Sequence, residues 1–204
     1  GYGETFLQMK EKLKTNTGWA SRDILQVGIG SCGISHFDSI PLTKMLMKKI
    51  PKPCHNFLDL GCGNGLYLVE FCKSLAQIKK AVGVEPSKEA CKEALQLIKN
   101  EKLGDRIDII CSSAIKTLAA KIKFNPDLVV LGFVLHEILA QEGEKNAICF
   151  LKQVIASFPD IYIIVIEVND QITNSEVMKH KLAQAYYNPY YLLHYFTNQQ
   201  LMPE

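Results

Sequence analysis

The sequence predicts an α/β fold, a doubly wound and mostly parallel sheet with helices on both faces. Segments with strand character alternate with helical segments from residue 56 onward. The runs 128–131 and 162–166 are apolar throughout, as expected for strands buried on both faces. A glycine-rich turn joins the first strand to the next helix. Repeated βαβ units of this kind imply right-handed crossovers and a parallel sheet.

The N-terminal part of the chain has weaker patterns. Residues 4–14 predict a helix, and residues 16–39, rich in Gly and Ser, predict a loop with a short extended piece at 24–29. Pro41 stands where proline is favoured at the start of a helix, so a helix is expected over 42–49.

Strands and helices then alternate to residue 187. The strands are expected at 56–60, 80–85, 106–111, 127–132 and 161–168, and the helices at 65–78, 87–101, 113–122, 139–158 and 174–187. A polar, aromatic tail follows. No strand pattern is found after residue 169, so the fifth strand is expected to form an edge of the sheet.

Length and composition favour one globular domain with an N-terminal extension. Of the 204 residues, 48% are apolar and 22% are charged. We expect residues 51–204 to form the main domain and residues 1–50 a helical and loop extension that acts as a lid. The net charge of +2 and the scattered lysines argue against nucleic acid as a partner. No run of 18 apolar residues is present, so a membrane span is not expected.

The cysteines predict a reducing compartment. There are seven, an odd number, and none form a C-x-x-C pair. We therefore expect a cytoplasmic protein without a disulfide framework or zinc site. Cys62 lies within the glycine-rich turn and is expected to be a small packing residue.

The turn after the first strand predicts a nucleoside site. Gly61, Gly63 and Gly65 allow positive φ and leave the backbone uncovered. The N–H groups that open the next helix can face an anionic group of a ligand. Glu85 ends the second strand, where a carboxylate can accept hydrogen bonds from ribose hydroxyls.

The spacing of the glycines narrows the choice of nucleoside. A dinucleotide fingerprint is G-x-G-x-x-G, whereas this chain has G-x-G-x-G with Asp59 two residues before the first glycine. The segment 57–65 closely resembles the first motif of class I S-adenosylmethionine-dependent methyltransferases. This resemblance implies S-adenosylmethionine as cofactor, with Asp59, Gly61 and Gly63 at its methionine end and Glu85 at its ribose. A dinucleotide site and a turn without ligand are the alternatives.

The same resemblance extends to the adenine end of the cofactor. Family members often have Asp after the third strand, where this chain has Ser113 and Ala114. By this resemblance the Ser113 hydroxyl accepts from the adenine amino group and the Ala114 N–H reaches a ring nitrogen. The other implied cofactor-binding residues are Cys62, Pro86 and Phe133.

The family ends its sheet with two more strands, the last antiparallel, and this sequence has no pattern for them. We therefore expect a chain truncated at its C-terminus, or an edge strand covered by a partner chain.

His136 and Glu137 follow the fourth strand and are the candidate catalytic residues. In small-molecule O-methyltransferases, a His followed by Asp occupies this place and the His is the base. The related 2-oxo acid C-methyltransferases use such a pair with a later His to hold a metal. His194 would be that third ligand, and two His with one carboxylate suit a divalent or iron-like ion. Alternatively, His136 starts a helix, Glu137 is a favourable first-turn acid, and His194 belongs to an aromatic cluster.

Two further segments, 33–43 and 185–194, are similar to the 2-ketoarginine methyltransferases. This resemblance implies methyl transfer to C3 of 5-guanidino-2-oxopentanoate. His36 and Asp38 would then lie on the lid. Either Asp38 or Glu167 could pair with the substrate guanidinium.

These observations lead to one main hypothesis and two alternatives. The main hypothesis is S-adenosylmethionine-dependent methyl transfer to a small 2-oxo acid, assisted by a metal. The first alternative is a metal-free O- or N-methyltransferase with His136 as base. The second is a domain that binds the cofactor without catalysis. A homodimer is compatible with each hypothesis.

Overall fold

A computed structural model describes residues 2–168 and 171–197 of the chain. Contacts between Cα atoms divide it into two compact units. The first unit comprises Gly1–Val27, Leu135–Ala147 and Glu167–Glu204, and the second comprises Gly28–Val134 and Ile148–Ile166. The boundary expected at residue 50 stays a prediction. The end of the expected tail, residues 198–204, lies outside the described residues.

The second unit contains a five-stranded sheet. Its strands are β1 (Asn56–Leu60), β2 (Lys80–Glu85), β3 (Ile107–Cys111), β4 (Leu128–Gly132) and β5 (Tyr162–Ile166). They lie in the order β3-β2-β1-β4-β5, and every pair is parallel. The α/β fold and its five strands are therefore confirmed. Whether further strands complete the sheet elsewhere stays a prediction.

Helices make up most of the remaining described chain. They are α1 (Gly3–Thr15), α2 (Ile24–Ser35), α3 (Ser39–Met47), α4 (Leu66–Ser74), α5 (Lys88–Asn100), α6 (Ala114–Ala119), α7 (Leu135–Glu142), α8 (Glu144–Ser157), α9 (Ser175–Met178) and α10 (Lys181–Phe196).

The middle of the sheet forms the core of the second unit. Phe57 and Leu58 on β1 and Val129 and Leu131 on β4 are fully buried. The chain leaves β1 towards β2 on one side, while β4 lies on the other side. In parallel sheets, ligands bind beyond the carboxyl ends of the strands at such a reversal of order. The topology therefore points to the carboxyl end of β1 as the ligand-binding edge.

Close packing at Gly83 connects β2 to the helix that follows β1. A methyl group added there would lie 2.6 Å from both Cys62 Sγ and Leu68 Cδ1. We expect Gly83→Ala to lower the free energy of unfolding by about 1–3 kcal/mol, because an added methyl in a packed core forces neighbours to shift. Urea unfolding measures this loss. The matched control is Gly104→Ala, since nothing lies within 4 Å of a Cβ at that position. Equal unfolding midpoints for the two variants would show that this contact is unimportant.

The loop expected over 16–39 is wrong, because α2 forms within it and α3 begins at Ser39. Three glycines lower the helix propensity of α2, and its apolar residues lack helical periodicity. The missed signal is Asp23, whose Oδ1 accepts a hydrogen bond from the Gln26 N–H at 3.0 Å. This is the side-chain contact of a helix N-cap. Asp38 likewise caps α3 by accepting from the Ser39 N–H.

Two expected helices are each divided in the structure. The helix expected at 139–158 is α7 and α8, and the chain turns between them at Gly143, which has φ +83°. The helix expected at 174–187 is α9 and α10, and α10 continues to Phe196. Tertiary packing supports this extension. Phe196 is buried and its carbonyl accepts from the Ala20 N–H at 2.8 Å.

Candidate active site

The glycine turn, Gly61–Gly65, joins β1 to α4 in the second unit. Gly61, Gly63 and Gly65 have φ of +87°, +53° and +77°, a conformation that favours glycine. The N–H groups of Gly61 and Cys62 donate to the Val84 carbonyl at 2.8 and 3.1 Å. These bonds fix the turn against the end of β2.

The glycines of the turn face different surroundings. A Cβ at Gly61 would lie 2.4 Å from Val134 Cγ2, so packing excludes any side chain there. At Gly63, in contrast, a Cβ would meet nothing within 4 Å. This open space next to exposed backbone is where a ligand could lie on the peptide groups. The turn therefore fits the predicted nucleoside.

Glu85 ends β2 and is held against the glycine turn. Its Oε2 accepts from the Gly63 N–H at 3.0 Å, and its Oε1 accepts from the Ser87 N–H at 2.8 Å. Each carboxylate oxygen has two lone pairs, so these bonds leave capacity for ribose hydroxyls. The next residue, Pro86, is exposed. The position of Glu85 is thus compatible with the predicted ribose contact.

Asp59 is a buried acid at the carboxyl end of β1. Burial and the nearby charge of Glu85 raise its pKa to about 7. A cationic ligand group beside this carboxyl would favour its ionised form. Burial, together with the charges of Asp59 and Glu85, also raises the pKa of the Cys62 thiol well above its usual value. Cys62 is therefore a buried thiol, as expected for a packing residue rather than a nucleophile.

The remaining predicted cofactor residues lie at the carboxyl ends of β3 and β4. Ser113 caps α6 by accepting from the Lys116 N–H at 3.3 Å, and Ala114 is the first residue of that helix. Phe133 follows β4 with φ +58°, an uncommon conformation for a residue with a side chain. Its N–H donates to the Ile166 carbonyl at 2.8 Å, which holds this backbone in place.

The histidine cluster, defined by His136, Glu167 and His194, lies in the first unit. The Glu167 Oε1 accepts from the Leu135 N–H at 2.6 Å, so it satisfies the first backbone donor of α7. The Glu167 Oε2 lies 2.8 Å from His136 Nδ1, and both side chains are under 10% exposed. An ionised Glu167 favours the imidazole tautomer that carries its proton on Nδ1. That tautomer has a lone pair on Nε2, which can accept a proton or bind a metal.

His194 is brought close to His136 within the first unit. It lies on α10 and is 3% exposed, and the two imidazole centroids are 5.9 Å apart. Tyr2 lies on another side of His194, with ring centroids 6.5 Å apart. Burial raises the pKa of the Tyr2 phenol, and the charge of Arg22 opposes this rise.

Glu137 has a different partner from the one expected. Its Oε1 forms an ion pair with Arg22 Nη2 at 2.6 Å. The structure thus brings the two histidines together, but it engages Glu137 with Arg22 and places Glu167 beside His136. Among residues 2–168 and 171–197, no group of three or more His, Cys, Asp or Glu side chains is arranged to hold a metal ion. The predicted metal set of His136, Glu137 and His194 stays a prediction.

Sequence reasoning missed Arg22 and assigned Glu167 another role. Arg22 and Arg106 are the only arginines among the 23 Lys and Arg residues. The rarity of arginine in this chain is the feature that could have identified Arg22 as a candidate functional residue. Glu167, one of two candidates with Asp38 for pairing with a substrate guanidinium, contacts His136, and its pairing with a guanidinium stays a prediction. Of the predicted lid residues, His36 is exposed and Asp38 caps α3. Their lid function stays a prediction.

Comparison with known proteins agrees with this geometry. Residues 58–156 match the methyltransferase domain family. A 2-ketoarginine methyltransferase from Streptomyces arginensis is 34% identical over 208 residues, which cover 98% of this chain and 57% of that protein. The chain therefore spans little more than half the length of this relative.

Solved structures show the same fold. An O-methyltransferase family protein from Burkholderia thailandensis has a TM-score of 0.56 and 15% identity, covering 99% of this chain and 60% of its own. The plantazolicin methyltransferase BpumL, in complex with SAH, has a TM-score of 0.50 and 21% identity, covering 71% of this chain and 51% of its own.

None of the described helices is long and apolar enough to cross a membrane. The glycine turn, the acid at the end of β2, the parallel sheet and the sequence matches agree with one another. Residues 58–156 match a methyltransferase domain, and the chain is similar to the class I S-adenosylmethionine-dependent methyltransferases.

Proposed function

We propose that this protein transfers a methyl group from S-adenosylmethionine to C3 of a small 2-oxo acid, such as 5-guanidino-2-oxopentanoate. The observation that carries the proposal is the buried His136–Glu167 pair, with an Nδ1–Oε2 distance of 2.8 Å. The 2-oxo acid is suggested by the 2-ketoarginine methyltransferase relative. We also place the protein in the cytoplasm, because the six cysteines whose thiols are described are free.

His136 has the features of a general base in this proposal. Glu167 holds its ring and favours the tautomer with a lone pair on Nε2. A proton on C3 of a 2-oxo acid is acidic because the adjacent carbonyl stabilises the resulting enolate. Nε2 takes that proton, and the charge of Glu167 stabilises the imidazolium that forms. When bound, S-adenosylmethionine would supply an electrophilic methyl group. The C3 carbon would attack that methyl in line, and S-adenosylhomocysteine would leave with the electrons of the broken S–CH3 bond.

Arg22 is a cation in the first unit whose ion-pair partner, Glu137, is the sequence neighbour of His136. Its side chain is 15% exposed and is paired with Glu137, whose side chain is 40% exposed. A guanidinium can bind a carboxylate through two parallel hydrogen bonds. We therefore assign Arg22 to the carboxylate of the 2-oxo acid.

A metal is the second element of the proposal. His136 and His194 are the nitrogen ligands available for it, with ring centroids 5.9 Å apart. Glu137 could act as the third ligand only by leaving Arg22. When bound, a metal would act as a Lewis acid on the keto oxygen. The metal-free O- or N-methyltransferase is favoured by the same His136–Glu167 pair, which needs no metal to act as a base. A homodimer stays a prediction.

One experiment tests the reaction. The protein is incubated with isotopically methyl-labelled S-adenosylmethionine and 5-guanidino-2-oxopentanoate, and the methylated atom is identified by NMR. We expect the label on C3. Label on oxygen or nitrogen would support the metal-free alternative. Cofactor binding without transfer to any 2-oxo acid would support the binding-only domain.

A chelator separates the metal-assisted reaction from the metal-free one. Loss of turnover with chelator, restored by added metal, is expected if His136 and His194 hold an ion. Unchanged turnover, together with full activity of His194→Ala, would contradict metal assistance.

A further inference from the structure

Two cysteines flank the backbone of Glu85 in the second unit. Cys111 is the last residue of β3 and is the Cα partner of Glu85 in the parallel pairing. Cys91 lies in the first half of α5, and its Sγ is 3.3 Å from the Glu85 carbonyl oxygen. Both cysteines therefore border the residue that we assign to the ribose of the cofactor.

The two side chains lie on the same face of the sheet. Paired residues of neighbouring parallel strands point to the same face of the sheet, so Cys111 lies on the face of Glu85. Gly83 is two residues before Glu85 on β2 and therefore lies on this face as well. The side chains next to Gly83 come from the glycine turn, α4 and β3, and Ala94 of α5 lies beside Gly65. This places α5, and Cys91 with it, on that face. Cys111 is also close enough to Cys91 to contribute, after burial, to the raised pKa of the Cys91 thiol.

We propose that Cys91 and Cys111 form a reversible disulfide that lowers the affinity for the cofactor under oxidising conditions. The oxidant is a peroxide. Its attack by the Cys111 thiolate gives a sulfenic acid at Cys111 and releases hydroxide. The released hydroxide takes the Cys91 proton to give water. The Cys91 thiolate then attacks the Cys111 sulfur, which forms the S–S bond and expels hydroxide.

The surroundings of the two thiols assign their roles. Cys111 is exposed and can meet the peroxide, whereas Cys91 is 4% exposed. Burial raises the pKa of Cys91 to about 12, so this thiol stays protonated and is not the first to react. Cys111 is therefore the thiol that is oxidised first, and Cys91 resolves it.

The disulfide would move the segments on both sides of Glu85. The two sulfurs must approach to about 2.05 Å to form the bond. The approach draws the start of α5 and the end of β3 together, and it removes the Cys91 contact with the Glu85 carbonyl. Displacing Glu85 weakens its charged hydrogen bonds to the ribose, so we expect about a tenfold loss of affinity. This inference rests on the proposed cofactor site.

The test combines peptide mapping with calorimetry. The protein is treated with hydrogen peroxide, its crosslinks are mapped by mass spectrometry, and S-adenosylmethionine is titrated before oxidation, after oxidation and after reduction with dithiothreitol. We expect a 91–111 crosslink, about tenfold weaker binding and full recovery on reduction. Cys111→Ser should keep its affinity after peroxide. Cys149→Ser, which replaces another exposed thiol, should respond like the wild type.

Different results separate this inference from the proposed function. Cofactor binding without a 91–111 crosslink, or an equal loss of affinity in Cys111→Ser, would overturn the disulfide. A protein that forms the crosslink with peroxide but binds no S-adenosylmethionine even when reduced would contradict the cofactor site itself. The proposed regulation would then fail with it.

Discussion

The variant His136→Gln is expected to lose methyl transfer by a factor of about 10²–10⁴ in kcat, the usual contribution of a positioned general base. His136 is buried, so bulk water has little access to take over as the base when the imidazole is removed. Glu167 holds the imidazole at Nδ1. Initial rates of methyl transfer measure kcat, and calorimetry with S-adenosylmethionine should show unchanged affinity. His55→Gln, at a histidine outside the cluster, should keep wild-type rates. Activity of His136→Gln within twofold of the wild type would contradict the assignment.

Glu167→Gln tests whether His136 acts through one defined tautomer. The glutamine Oε1 can still accept from the Leu135 N–H, so the start of α7 is preserved. Its amide nitrogen, however, would face His136 Nδ1 as a donor, and the imidazole proton would move to Nε2. We expect kcat to fall by about 10²-fold or more with little change in KM. Glu167→Asp, which keeps the charge, should recover part of the rate. A fall in thermal stability that accounts for the lost activity would instead indicate a structural role.

The second large effect is expected at Asp59. Its pKa is about 7 in the folded protein and 3.8 in the unfolded chain, so the folded state binds the proton more tightly. Below pH 3.8 both states are protonated and Asp59 contributes nothing. Between pH 4 and 7 the free energy of unfolding falls as pH rises, and above pH 7 the full cost of about 4 kcal/mol remains.

Asp59→Asn removes this cost because its side chain has no charge. In the absence of cofactor we expect the variant to be more stable than the wild type at pH 8, by about 2–4 kcal/mol, and similar to it near pH 4. Urea unfolding at the two pH values measures the difference. Asp160→Asn, at an exposed site, should change stability at neither pH. An Asp59→Asn variant that is equally destabilised at both pH values would contradict the charge-burial explanation.

The same variant is expected to bind the cofactor more weakly. Asp59 is assigned to the methionine end of S-adenosylmethionine, which carries a positive amino group. Losing the carboxylate should weaken binding about tenfold or more, since charged hydrogen bonds contribute about 1.5–3 kcal/mol. Higher stability together with weaker binding is the behaviour of a strained functional site.

Much of the fold was predictable because its signals are local. The strands 56–60 and 80–85 coincide with β1 and β2, since apolar runs and turn residues define both ends. The glycine turn was equally accessible, because positive φ at Gly61 and Gly63 is a requirement that the sequence itself displays. The unexpected helix α2 shows the limit, because its three glycines and its lack of helical periodicity gave no local signal of a helix.

The histidine cluster was only partly predictable. His136 and His194 were identified by their residue types and by the resemblance. The acid beside His136 was expected to be Glu137, its neighbour in sequence. The structure assigns this place to Glu167, 31 residues away. A partner across such a separation depends on tertiary structure, and no local pattern of the sequence records it.

The most direct test of the account is a calorimetric titration of the protein with S-adenosylmethionine, repeated with Glu85→Ala. Glu85 connects the glycine turn to the assigned ribose position through the Gly63 N–H. We expect saturable binding to the wild type and at least tenfold weaker binding to the variant. Equal affinities would contradict the site described above, as would a wild type that gives no heat with S-adenosylmethionine but binds a nicotinamide dinucleotide.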